Sequence, residues 1–141
     1  MREFILAKDE LNSICELIKD EGIVLLQGDL ASGKTSLVKA IARYKGVSED
    51  VSSPTFSIMQ SYQAKNTKIY HYDIYQNGLK ALLENGLFEN FFEKGLHLVE
   101  WGQEDLEAYL LKFKLESMLI KLSTTKDENK RKYKVYEHFR G

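Results

Sequence analysis

The sequence predicts an α/β fold with a mixed, mainly parallel central sheet, and three observations carry that prediction. Residues 23–26, Ile-Val-Leu-Leu, form the short apolar run expected of a parallel strand covered on both faces. A glycine loop, Gly28-Asp29-Leu30-Ala31-Ser32-Gly33-Lys34-Thr35, follows at once, and residues 36–44 then place Leu37, Val38, Ile41 and Ala42 at helical spacing before Gly46 supplies a stop. Residues 56–62 and 68–75 alternate between faces, as two antiparallel strands joined near Lys65-Asn66 would, so a hairpin flanks the parallel part of the sheet.

The other elements are read in chain order. Phe4-Ile5-Leu6 is a short strand, and a helix over 9–19 puts Leu11, Ile14, Cys15 and Ile18 on one face, with Asp9 as its N-cap. The stretch 47–55, which contains the only proline, Pro54, is a loop. A helical region over 78–94 is rich in Leu and Phe, and Gly86 marks an interruption. Leu96 to Val99 is a strand closing at Glu100-Trp101-Gly102, and 104–111 is a short helix. Two final strands, 115–124 and 133–138, are separated by a charged hairpin loop over 126–131. The basic group Lys130, Arg131, Lys132 and Lys134 reads as the solvated face of an edge strand, where lysine discourages pairing with another chain.

Composition bounds the function. A chain of 141 residues, 43% hydrophobic and 29% charged, is expected to form one domain over 1–141, with no apolar run near the ~20 residues that a membrane span requires. Arg2 and Glu3 argue against a secretory leader, so a cytoplasmic protein without a membrane partner is expected. The single cysteine, Cys15, has no partner for an internal disulfide and reads as a core residue. A net charge of −1 excludes the broad positive field of a dedicated nucleic-acid binder, so any nucleic acid would be held mainly by other proteins.

The glycine loop fits G-x-x-x-x-G-K-[S/T], a P-loop, and it stands between a strand and a helix as phosphate binding requires. Amides at the start of a helix face phosphate oxygens, and the helix dipole favours negative charge there. The loop amides from Asp29, Leu30, Ala31, Ser32 and Gly33 through Lys34, Thr35 and Ser36 are therefore the predicted phosphate cradle in a P-loop NTPase-like three-layer fold. Lys34 would reach the β- and γ-phosphates and Thr35 would hold Mg2+. Hydrolysis also needs a carboxylate near the metal and a group that positions water. Glu100, at a strand's end, and Asp73, on an alternating strand, both qualify. Ser53-Pro54-Thr55-Phe56 has the hydroxyls of a γ-phosphate switch, although a plain turn into a strand has the same composition. Trp101 lies against the nucleotide, a partner or the core. His71, His97 and His138 lack metal-ligand spacing.

GDLASGKT at 28–35, VSSPTF at 51–56, HYDIY at 71–75 and LVEWG at 98–102 resemble, in order and spacing, the TsaE (YjeE-type) family of small bacterial P-loop ATPases. The likeness runs from about Leu11 to Gly102. It implies that Thr35 and Glu100 bind Mg2+, that Lys34 and the loop amides bind ATP, and that Thr55 and Asp73 serve hydrolysis or its switching. It places Trp101 near the active site. It further implies work with the TsaB and TsaD proteins in threonylcarbamoyladenosine modification of tRNA, which TsaD carries out, with tRNA met only indirectly. Arg131 is the candidate contact on the adenine side. Two departures stand out: Ala31-Ser32 replace the family's Gly-Ala, and Gln76 replaces its Arg, which removes a fixed cation. With no arginine near the middle motifs, hydrolysis is expected to be weak without the partner proteins. A small-molecule kinase, a GTPase reading guanine through Thr125-Lys126-Asp127-Glu128, and an assembly module that ATP merely stabilises are the competing readings.

Overall fold

The computed structural model of the chain describes residues 1–29, 33–52, 58–75 and 78–139, the side chains at 138 and 139 excepted. Its elements are β1 (Arg2–Ala7), α1 (Asn12–Cys15), β2 (Gly22–Gln27), α2 (Lys34–Tyr44), β3 (Met59–Gln63), β4 (Lys68–Asp73), α3 (Gly78–Glu84), β5 (Leu96–Glu100), α4 (Glu104–Lys112), β6 (Ser117–Thr124) and β7 (Lys130–Phe139). Single 3-10 turns occupy Lys8–Glu10 and Phe88–Phe92. All seven strands share one sheet in the order β1-β7-β6-β2-β5-β4-β3. The pairings β6–β2, β2–β5 and β5–β4 are parallel, whereas β1–β7, β7–β6 and β4–β3 are antiparallel, so hairpins extend a parallel centre on both sides. None of the described helices is long and apolar enough to cross a membrane.

Strand alternation divides the core into two layers. Val24, Leu26, Leu98, Ile120 and Leu122 point to the side covered by the α1 segment and α2, where they meet Ile14, Cys15, Leu37, Val38 and Ile41. Ile23, Leu25, Tyr72, Val99 and Leu119 point to the other side and pack with Leu82, Phe88, Leu106 and Leu110 from the α3–α4 part of the chain. Cys15 is fully buried, and removal from water pushes its thiol up to about 11, which leaves it unreactive.

The helix expected over 9–19 is broken. Glu10 turns back so that its carboxylate accepts the Ala7 N–H at 2.8 Å, and regular helix covers only Asn12–Cys15. Asn12 and Ser13 propagate helix poorly, yet the apolar stripe Leu11, Ile14, Cys15 and Ile18 is buried as its spacing requires. The region 78–94 likewise divides at Gly86, whose φ of 67° only glycine adopts without strain. Helix α2 ends as read: Gly46 N–H donates to Arg43 O and Val47 N–H to Ala42 O, a Schellman stop around a glycine at φ 96°. The reading of β7 as an edge strand is overturned, because β7 lies between β6 and β1, and β1 is the edge.

Candidate nucleotide-binding site

The parallel strands β2, β5 and β4 end together at the N-terminus of α2, the crevice at strand carboxyl ends where α/β folds place ligands. Gly33 opens α2 with φ 104°, a left-handed turn that lets the chain leave the loop and start the helix at once. Lys34 follows and is only 5% exposed. Its Nζ donates to Gly28 O at 2.7 Å and Asp29 O at 2.8 Å, and lies 3.7 Å from the centre of the Trp101 ring. Burial lowers the Lys34 pKa, against the opposing pull of Glu100, Asp73 and Asp29.

Parallel register brings the carboxylates together. Asp73 on β4 stands opposite Glu100 on β5, and both strands direct these positions toward α2. Glu100 is 2% exposed; its Oε1 accepts the Thr35 hydroxyl at 2.8 Å and its Oε2 lies 2.5 Å from His71 Nε2. His71 is wholly buried, two residues before Asp73 on the same face, and its Nδ1 has no hydrogen-bond partner. Asp73 Oδ1 accepts the Tyr75 N–H at 3.2 Å, and burial raises the Asp73 pKa, the largest of several effects. Trp101 N–H donates to Leu26 O at 2.8 Å, continuing the β5–β2 ladder by one residue, and then the backbone takes φ 70°. A left-handed tryptophan is rare and costly, and such strain gathers at functional sites. Its ring lies 4.7 Å from that of Tyr75 and under the Lys34 ammonium.

A cleft of about 990 Å³ opens over these groups, within the range of small-molecule sites. Gly33, Lys34, Thr35 and Ser36 form its floor; Asp73, Tyr75, Glu100 and Trp101 form one wall. The opposite wall comes from both ends of the chain, with Leu6 to Asp9 beside Glu128, Asn129, Arg131 and Tyr133. Arg131 runs along Gly33 and donates Nη1 to Glu128 O at 2.9 Å and Lys130 O at 3.0 Å, bonds that brace its own hairpin.

The structure thus gathers Gly33, Lys34, Thr35, Ser36, Asp73, Glu100, Trp101 and Arg131 around one cleft. Asp29 stands apart: its carbonyl holds Lys34, and the residue lines a smaller pocket behind the loop. Leu30, Ala31, Ser32 and Thr55, together with Ser53, Pro54 and Gln76, lie outside the described residues. Sequence reasoning missed His71, which it weighed only as a metal ligand; its position two residues before Asp73, on the same face of an alternating strand, was the available signal. It also missed the wall supplied by β1 and by Tyr133.

Thr35 Oγ1 and Glu100 Oε1 offer two hard oxygen donors 2.8 Å apart. That separation, now a direct hydrogen bond, is close to the ~3.0 Å edge of an octahedron with bonds of ~2.1 Å, the geometry Mg2+ demands, and Mg2+ takes few protein ligands when phosphates supply the rest. Among the described residues no group of three His, Cys, Asp or Glu side chains could hold a metal by itself.

A model of the family described as "Threonylcarbamoyl adenosine biosynthesis protein TsaE" matches residues 7–133. The chain belongs to the TsaE family. The Aquifex aeolicus tRNA threonylcarbamoyladenosine biosynthesis protein TsaE is 30% identical over 143 residues, covering 96% of each chain. The Rickettsia conorii protein of the same name is 36% identical over 121 residues, 84% of this chain, which spans 65% of that relative's length. Among solved structures, the crystal structure of YdiB from Bacillus subtilis superposes with a TM-score of 0.66 at 27% identity, covering 94% of this chain and 83% of YdiB. The α/β architecture with a mixed central sheet flanked by helices is thus that of the TsaE family.

Proposed function

We propose that this chain is a Mg2+-dependent ATP-binding protein and ATPase that supports tRNA threonylcarbamoyladenosine modification together with TsaB and TsaD. The observation that carries this reading is the convergence of Lys34, Thr35 and Glu100 beneath one cleft, with Thr35 and Glu100 in direct contact. The names of the relatives point to the same process.

Each residue has a distinct task. The α2 N-terminus and the loop before it receive the triphosphate, and Lys34 exchanges the Gly28 and Asp29 carbonyls for phosphate oxygens. Thr35 and Glu100 would hold Mg2+, which when bound supplies charge neutralisation on the phosphate oxygens. His71 holds Glu100 from behind, so the carboxylate is oriented before any ligand arrives. Asp73 flanks Glu100 on the cleft wall, and its raised pKa suits a carboxylate that takes a proton from water. Trp101 closes the wall over Lys34. Arg131 and Tyr133 meet the base end of the nucleotide.

Slow hydrolysis by the isolated chain is expected. Arg2 lies 3.7 Å from Glu137, Arg43 sits in the last turn of α2 away from the helix start, Arg131 is engaged by its own hairpin and Arg140 lies outside the described residues, so this reading takes the cation that stabilises the transition state from a partner. Calorimetry with ATP and Mg2+ tests the site: Lys34→Ala should abolish uptake, and retained affinity would overturn the phosphate assignment. Phosphate release measured with and without TsaB and TsaD tests the pathway, and an unstimulated rate would remove the partners from the reading.

A further inference from the structure

An aromatic ridge stands at the end of the sheet opposite the nucleotide cleft. The turn Phe88–Phe92 leads into the N-terminal end of β5, and α4 returns the chain to that same end. Phe88 is buried and packs against four rings, with centres 5.5 Å away for Phe91, 6.2 Å for Phe92, 4.8 Å for Tyr109 and 5.3 Å for Phe113. Phe92 and Phe113 meet edge to face at 5.9 Å and are 55% and 46% exposed. Single exposed apolar residues need no explanation, whereas two exposed phenylalanines in contact over a third form a patch.

The charges around the ridge are sorted by element. Side chains three apart eclipse in a 3-10 turn, so Glu89 stands in line with Phe92, and Glu93 follows directly. From α4 come Lys112, whose ammonium lies 5.6 Å from the centre of the Tyr109 ring, and Lys114 just past Phe113. None of Glu89, Glu93, Lys112 and Lys114 forms an ion pair among the described residues. Of the other charges near this end, Glu84 lies 3.7 Å from Lys80 and Lys94 lies 3.6 Å from Glu21, while Glu116 lines a small pocket with Glu93 and Lys94. One side of the ridge is therefore acidic and the other basic. Lys114 carries a second sign of use. Its N–H donates to Leu111 O and the Leu115 N–H to Leu110 O, the Schellman closure in which its position is normally glycine, and it takes φ 62° there. A lysine held in a conformation that only glycine adopts freely points to a task for its charge.

We infer that this ridge is a docking surface for a second copy of the chain. A two-fold axis through the Phe92–Phe113 contact exchanges the two sides of the ridge. It lays rings upon rings and sets Glu89 and Glu93 of each copy against Lys112 and Lys114 of the other. A two-fold contact requires a self-complementary surface, and acid on one element, base on the other and apolar rings between them is such a surface. A rim of one sign would instead call for a partner of opposite charge. Two half-exposed phenylalanines and their flanking charges offer less than the ~800 Å² per partner of a standard interface, so the dimer is weak, with Kd ~10⁻⁴ M. Because the nucleotide cleft lies at the other end of the sheet, it stays open in this dimer, and the inference does not depend on the proposed ATPase role.

Sedimentation velocity on the full chain, from ~10 to ~500 µM at low salt, tests the inference. Wild type should pass from monomer to dimer across that range. The variants Glu89→Lys/Glu93→Lys and Lys112→Glu/Lys114→Glu each set like charges across the axis, and each should associate at least ~10-fold more weakly. An equimolar mixture of the two should associate like wild type, because each copy then meets opposite charge on both sides. Lys114→Gly relieves the left-handed lysine, so it should unfold at a higher urea midpoint and yet associate more weakly, which separates the charge from the fold. ATP affinity, measured by calorimetry on the same proteins, should be equal, so a failed ATP site and a failed dimer surface give different patterns. Wild type that stays monomeric at ~500 µM, a dimer indifferent to both charge reversals, or a mixture that does not recover would overturn the inference. So would TsaB–TsaD binding that either reversal abolishes, since that would assign the ridge to a different protein.

Discussion

At the scale of single residues, two buried histidines serve different ends of the sheet. His71 holds Glu100, the carboxylate proposed to bind the metal, and losing a hydrogen bond to a charged group costs about 1.5–3 kcal/mol. His71→Ala should therefore lower the free energy of urea unfolding by that order. Because His71 fixes the Glu100 rotamer, the variant should also lose more ATP affinity with Mg2+ present than in EDTA. An equal loss in both conditions would reduce His71 to a packing role. His97 lies at the opposite end of β5. Its Nε2–H donates to Glu93 O at 2.9 Å and its Nδ1 accepts the Tyr72 hydroxyl at 2.8 Å, an arrangement that uses the neutral ring. Burial lowers its pKa below the ordinary 6.5, so as pH falls below that value the unfolded chain binds a proton that the folded chain refuses. Stability must then fall with pH, starting near 6.5. Comparing urea midpoints at pH ~7.5 and ~5.5 should show a steeper loss for wild type than for His97→Gln. Parallel losses would show that other groups control the acid side.

Among elements, the turn from β5 into α4 sets the site most tightly. It carries Glu100, then Trp101 in its left-handed conformation, then Gly102, which sits directly on β2: a Cβ there would lie 3.0 Å from both Cβ and Cδ2 of Leu25. Leu25 is completely buried between β2 and the α3–α4 layer and has nowhere to go. Gly102→Ala should cost about 1–3 kcal/mol through overpacking, and it should weaken ATP binding because the displaced turn carries Trp101 away from Lys34. Thermal unfolding and an ATP titration measure the two effects. Unchanged stability would mean that Leu25 finds another rotamer. This turn was legible in sequence as the end of an apolar strand and through the LVEWG stretch that placed Trp101 near the site; the left-handed tryptophan leaves no pattern, because its strain is held by tertiary contacts. The strand–loop–helix unit at β2 and α2 was legible because its signals are local, namely an apolar run, a glycine motif and a glycine stop. The helix over 9–19 was misread for the complementary reason: its apolar stripe recorded burial, while Glu10 and Asn12-Ser13 decided the backbone.

For the whole molecule, the cleft is assembled from sequence-distant parts, and only some of them announce themselves. Lys34, Asp73 and Glu100 were readable because each sits at a strand or loop boundary within a motif. The wall made by β1 and β7 was not, since it depends on β1 crossing to pair with β7 at the sheet edge, a long-range pairing that no local period encodes. The end of the first strand and the start of the last therefore both line the proposed nucleotide site, and ligand binding should stabilise the entire sheet rather than the loop alone. Binding to the folded state adds RT ln(1 + [L]/Kd), about 2.7 kcal/mol when ATP with Mg2+ is at 100 times its Kd. For a domain of this size, at roughly 3 °C per kcal/mol, the melting midpoint should rise by ~8 °C in a single cooperative step. EDTA should remove most of the rise by taking away the charge that Thr35 and Glu100 accommodate, and Glu100→Gln should behave in Mg2+ much as wild type does in EDTA. A rise that EDTA leaves intact would detach the metal from this pair of oxygens, and a second, unshifted transition would show that the β1–β7 wall melts independently of the nucleotide site.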